Sequence, residues 1–127
     1  MILLDTHVLL WVLAHPDRIG PRSRSVIEKA ATVHYSAVSI AEVTIKQMLG
    51  RLRVPDDLGA EAEAAGFVAL PLRPDHPRGL EEFGELIRHD PFDRLLLAQA
   101  VTERCRFLTA DGRLLGLARH WILDARN

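Results

Sequence analysis

Four short apolar runs, Ile2–Leu4, Val33–Ser36, 67–70 and Arg106–Thr109, are separated by stretches with helix signals, and this alternation constrains the fold more than any other feature of the chain. Strands this short, joined through helices, pair in parallel and must be covered on both faces, because parallel strands need long crossover connections. The expected architecture is a three-layer α/β/α fold with a short parallel central sheet, in one domain spanning residues 1–127. A chain of that length buries about two thirds of the surface it exposes when unfolded, so its core needs no crosslink. Cys105, the lone cysteine, allows no intrachain disulfide.

Local signals place the helices between these runs. Thr6 is a candidate N-cap for a helix over 8–13, and Pro21 after Gly20 starts a second helix running to about residue 31. Ser39-Ile40-Ala41-Glu42 has the spacing of a capping box. The helix it would open directs Ile40, Val43, Met48 and Leu49 to the core and stops at Gly50. Asp56 or Asp57 opens another helix ending near Gly66, and 80–87 is weakly helical after a proline-broken stretch. Asp90-Pro91-Phe92-Asp93 is the clearest helix start, with a capping acid, a first-turn proline and a third-position acid. A short helix over 114–118 and an edge strand over 121–123 complete the reading.

Composition excludes several classes. The first residues lack a basic segment and a cleavage site, and the longest apolar run, 8–14, is far short of the roughly 20 residues of a membrane span. A cytoplasmic protein with no membrane association is expected. The net charge of −1 argues against a domain-wide basic field, although only Lys29 and Lys46 among the 16 basic residues are lysine, and arginine suits phosphate recognition. The six histidines are scattered without a metal-binding pair, so they are assigned to surface or core. No glycine-rich phosphate loop is present, which disfavours nucleotide hydrolysis.

In an open parallel sheet, ligands collect beyond the carboxyl ends of the strands. Four acids map to that edge: Asp5 after the first strand, Glu42 and Asp93 in the first turns of helices, and Asp111 after the fourth strand. Capping, helix-dipole or turn roles explain each of the last three when taken singly. Together, four converging carboxylates would repel and raise one another's pKa values unless a cation joined them. Mg²⁺, with Mn²⁺ as a substitute, suits such hard oxygen donors. An acid-bound metal without a nucleotide loop points to phosphodiester hydrolysis, in which one ion activates water and a second stabilises the leaving 3′ oxygen.

These residues also resemble a known family. Leu3-Leu4-Asp5-Thr6-His7, the Ser39 to Glu42 helix start, the run from Asp90 through Phe92, Asp93 and Arg94 to Ala100, and Leu108-Thr109-Ala110-Asp111 are similar, in order and over nearly the whole chain, to PIN-domain ribonucleases. The likeness is to the VapC-type toxins of toxin-antitoxin systems. It implies catalytic and metal-binding roles for Asp5, Glu42, Asp93 and Asp111, with Asp5 and Asp93 the firmest ligands. Thr6, Ser39 and Thr109 match polar positions able to hold water or phosphate. Asp90 is explained by capping or by a site role, and Arg94 by a surface ion pair or by contact with phosphate. The resemblance further implies RNA cleavage leaving 5′-phosphate and 3′-hydroxyl ends, with transfer RNA as the family-based substrate, homodimerisation, and inhibition by a cognate antitoxin. An amphipathic antitoxin segment would dock on the apolar helices near the N-terminus and around Glu42.

Two other readings compete. A catalytically silent PIN-fold binding module is disfavoured because all four acids are present. A phospho-receiver domain also places aspartates at strand ends, but it needs an acidic pair after strand one and a late lysine. Here Asp5 is followed by Thr6 and His7, and no lysine follows Lys46.

Overall fold

The structure is a computed structural model that describes residues 1–54 and 57–127. Its elements run β1 (Ile2–Leu4), α1 (Thr6–Ala14), a 3₁₀ turn (Pro16–Arg18), α2 (Pro21–Lys29), β2 (Val33–Ser36), α3 (Ala37–Met48), α4 (Leu58–Ala64) and β3 (Val68–Leu70). A 3₁₀ segment (His76–Leu86), α5 (Pro91–Glu103), β4 (Arg106–Thr109), α6 (Gly112–Leu115) and β5 (Ile122–Asp124) follow. The five strands form one parallel sheet in the order β3-β2-β1-β4-β5. β1 is central, with Leu3 in register with His34 on one side and Phe107 on the other.

Strand alternation divides the core between the two faces of this sheet. Ile2, Leu4, Tyr35 and Leu108 pack with Val8 and Leu9 of α1 and Leu58 and Ala62 of α4. Leu3 and Phe107 point the other way, onto Leu96, Leu97 and Ala100 of α5 and Phe83 of the 3₁₀ segment. Helices on both faces thus make the expected three layers. Each fully buried leucine, isoleucine or phenylalanine contributes roughly 1.5–3 kcal/mol, so the two clusters are the main source of stability. Gly79 is required where the 3₁₀ segment crosses α5, since a Cβ there would lie 2.8 Å from the Ala98 carbonyl oxygen.

Several local expectations shift. Asp5, not Thr6, caps α1, accepting a hydrogen bond from the Thr6 amide. The Ser39 capping box does not form: α3 begins at Ala37 and is capped by Ser36, whose hydroxyl accepts from Val38 N at 2.9 Å. Glu42 therefore sits in the second turn. The hydroxyl of Ser36 also donates to the buried Gln99, whose amide reaches the Pro71 carbonyl at 3.2 Å, so β2, α3 and α5 are tied at one point. Met48 and Leu49 are 83% and 61% exposed instead of core, whereas Val43 is buried. Asp57 caps α4, while Asp56 lies outside the described residues. Helix 80–87 is the end of a 3₁₀ segment kinked at Phe83, helix 114–118 starts earlier at Gly112, and strand 121–123 is shifted to Ile122–Asp124.

Candidate functional site

The strand order reverses between β1 and β4, and a crevice opens beyond the carboxyl ends of those strands. A cavity of about 270 Å³ lies there, lined by Asp5, Glu42, Asp90, Asp93 and Asp111 together with Lys46. All four acids singled out in the sequence meet in it, with Asp90 as a fifth.

Asp5 is 3% exposed and held at both oxygens: Thr6 N donates to Oδ1 at 2.7 Å and Thr109 Oγ1 to Oδ2 at 2.6 Å. Burial pushes its carboxyl above the usual range, against the pull of those two donors. Glu42, 2% exposed, accepts from the Thr6 hydroxyl at 2.7 Å, and the same hydroxyl lies 2.9 Å from Ser39 Oγ. The hydroxyls of Thr6, Ser39 and Thr109 are therefore turned onto the acids and onto one another. The other Glu42 oxygen takes the Lys46 ammonium, one helical turn on. That hydrogen bond raises the Lys46 pKa, and the charges of Asp90 and Asp93 add to the effect.

Asp93 is also strongly perturbed. Burial first, then the negative charges of Asp5, Asp90, Glu42 and Asp111, push its carboxyl up to about 8. Asp90 caps α5, its Oδ1 accepting from Phe92 N at 2.8 Å and Asp93 N at 3.4 Å. Capping and a place on the cavity wall are thus compatible for this residue. Asp111 caps α6 through Oδ1, with Arg113 N at 2.8 Å, and leaves Oδ2 on the cavity side.

Two residues escaped the sequence reading. His89 Nε2 lies 2.9 Å from Asp93 Oδ2 and 3.7 Å from Asp111 Oδ2, so this histidine belongs to the site instead of the surface or core. Lys46 is the second. His76, by contrast, is the core residue expected, fully buried, with Nδ1 accepting from Arg73 N and Nε2 against Glu103. Arg94 makes no ion pair among the described residues: it donates to the Ile87 carbonyl at 3.2 Å, and its buried Nε has no partner.

Five carboxylates facing one lysine and two imidazoles, His7 and His89, leave an excess of negative charge in a confined space. Burial first, and that charge second, raise the Asp93 carboxyl, and hard oxygen donors crowded in this way fit a divalent cation. His89, Asp93 and Asp111 each offer a donor atom, all within 4.8 Å of one another.

Residues 2–119 match the PIN domain family. Ribonuclease VapC22 of Mycobacterium tuberculosis is 28% identical over 115 residues, covering 89% of this chain and 88% of that protein. Among solved structures, VapBC2 from Rickettsia felis bound to a promoter DNA fragment superposes with a TM-score of 0.66 at 15% identity, over 98% of this chain and 97% of that one. DNA-bound VapBC from Salmonella typhimurium gives a TM-score of 0.62 at 14% identity, over 97% and 95%. At these identities the structures speak for the fold.

Proposed function

The chain belongs to the PIN-domain family, and from that premise we propose that it is one PIN domain acting as a metal-dependent endoribonuclease, the toxin of a toxin-antitoxin pair. The observation that carries this reading is the meeting of Asp5, Glu42, Asp93 and Asp111 in one cavity at the sheet's switch point. The relative named a ribonuclease supports the chemistry, and transfer RNA, implied by the family resemblance alone, is the proposed substrate.

Asp5, Asp93 and Asp111 are the residues that would hold Mg²⁺ or Mn²⁺, with Glu42 beside them. Bound there, the ion supplies Lewis-acid polarisation of the scissile phosphate and lowers the pKa of an attacking water. The protein's own part is positioning. Thr109 and the Thr6 amide fix both oxygens of Asp5, so this carboxylate meets its ligand without reorganising. Thr6 and Lys46 hold Glu42 in one orientation, which suits a role through water more than direct contact with the ion. Asp90 fixes the first turn of α5 and thereby the direction of Asp93, while Arg94, one position on, is oriented by the Ile87 carbonyl.

A groove beside the cavity is lined by Leu10, Trp11, Leu52 and Val54 and rimmed by Arg18 and Arg53. Apolar lining with basic edges favours an amphipathic, acidic antitoxin segment there. The solved VapBC complexes support an antitoxin protein as the partner. Homodimerisation belongs to the same proposal, and the exposed Ile45, Met48 and Leu49 supply apolar surface for a protein contact. Among the described residues no helix is long and apolar enough to cross a membrane. A cytoplasmic site of action is part of the reading.

The experiment is RNA cleavage by purified protein in Mg²⁺ or Mn²⁺, with sequencing of the 5′ ends. Cuts carrying 5′-phosphate and abolished by EDTA are expected. Cleavage that persists in EDTA, or ends bearing a cyclic phosphate, would overturn the proposal.

A further inference from the structure

His89 has no part in the chemistry described above, yet its ring is 9% exposed and faces the acids. It stands immediately before the α5 cap, with its backbone amide held by the Leu86 carbonyl at 2.8 Å. Nε2 is 2.9 Å from one Asp93 oxygen and 3.7 Å from one Asp111 oxygen. Two protein ligands each about 2.1 Å from a shared ion lie roughly 3–3.5 Å apart, within the span of those two separations. Asp111 keeps Oδ1 for the amides of α6, so Oδ2 is the oxygen available. Asp93 likewise presents Oδ2.

The chemistry of this donor set differs from that of a carboxylate cage. Imidazole nitrogen favours zinc and its transition-metal neighbours, whereas Mg²⁺ is held by oxygen and water. We propose that His89, Asp93 and Asp111 form a mixed nitrogen and oxygen site that takes a borderline divalent cation, Zn²⁺ foremost, in preference to Mg²⁺. The inference rests on the reading of this cavity as a divalent-cation centre. It adds the residue that sets which ion the centre prefers. The ring would bind the ion through Nε2, leaving Nδ1 to carry the proton. Because Asp93 and Asp111 are common to both ligand sets, zinc at His89 competes with magnesium at the carboxylates and restrains cleavage.

The test needs no RNA. Metal-stripped protein is titrated with Zn²⁺ and, separately, with Mg²⁺ by calorimetry, as wild type and as His89→Gln, His7→Gln and His120→Gln. His7 also lines the cavity and His120 is remote and exposed, so these two control for other imidazoles. The expected result is a loss of at least 10-fold in Zn²⁺ affinity for His89→Gln alone, with Mg²⁺ affinity changed less than about 3-fold. The inference is overturned if His89→Gln, shown folded by circular dichroism, binds zinc like wild type. It is equally overturned if both ions weaken together, or if His7→Gln or His120→Gln takes the zinc affinity away. Zinc binding that depends on His89 in a protein without RNA cleavage would leave this inference standing and remove the nuclease reading. Metal-dependent cleavage with zinc affinity untouched in His89→Gln would do the reverse.

Discussion

Replacing Asp93 by asparagine should stabilise the metal-free protein at alkaline pH, a counterintuitive result for a buried substitution beside a functional cavity. The Asp93 carboxyl is pushed from 3.8 to about 8 by burial and by four neighbouring acids. In the unfolded chain it titrates normally. Between those two values the folded protein binds a proton that the unfolded chain does not, so the Asp93 contribution to stability is most favourable below about pH 4 and is lost as pH rises towards 8. At about 1.4 kcal/mol per unit, the shift bounds the loss at ~6 kcal/mol. His89, water and cluster relaxation reduce it, and ~1–3 kcal/mol is the expected share. Asparagine keeps the shape without the titration. In EDTA, the melting temperature of Asp93→Asn relative to wild type should therefore rise by roughly 3–10 °C between pH 5 and pH 8. Adding Mn²⁺ at pH 8 should stabilise wild type and leave the variant nearly unchanged. Parallel pH curves for the two proteins would refute the reasoning, because they would mean that the Asp93 charge is not under strain.

Three further outcomes are expected. Gly79→Ala places a Cβ 2.8 Å from the Ala98 carbonyl oxygen and should cost about 1–3 kcal/mol in urea unfolding without changing metal affinity. Lys46→Ala strips the ammonium partner from a buried Glu42 and should destabilise the metal-free protein at pH 8 by ~1–3 kcal/mol, measured by urea unfolding. Trp11→Asp in the groove should weaken capture of an antitoxin by at least 10-fold while leaving the circular dichroism spectrum intact.

The strands and the α5 start were legible because their signals are local. Apolar runs announce β1, β2 and β4, and a capping acid followed by proline announces α5 whatever surrounds it. Ser36 and Ser39 show where local reasoning fails. Both can cap, and the choice of Ser36 is made by its hydrogen bond to Gln99, 63 positions away. Met48 and Leu49 fit an apolar helical stripe, yet burial along α3 ends at Val43 and leaves them exposed. The acids were found because they stand at strand and helix ends, the places a parallel sheet gathers together. His89 and Lys46 carry no such mark. Lys46 is one turn beyond Glu42 on a helix whose start was misplaced, and His89 meets Asp111 only because β4 runs back along α5, bringing the end of the strand to the start of the helix. Arg94 reads as a surface cation until the backbone before α5 folds back to offer the Ile87 carbonyl.

The most direct test of the account is the RNA cleavage rate of Asp5→Asn in saturating Mg²⁺. Asparagine retains an oxygen for the Thr6 amide, so the cap and fold should survive, and removal of the ligand charge should lower the rate at least 100-fold. A folded Asp5→Asn protein that cleaves RNA as fast as wild type would contradict the claim that these carboxylates hold the catalytic ion.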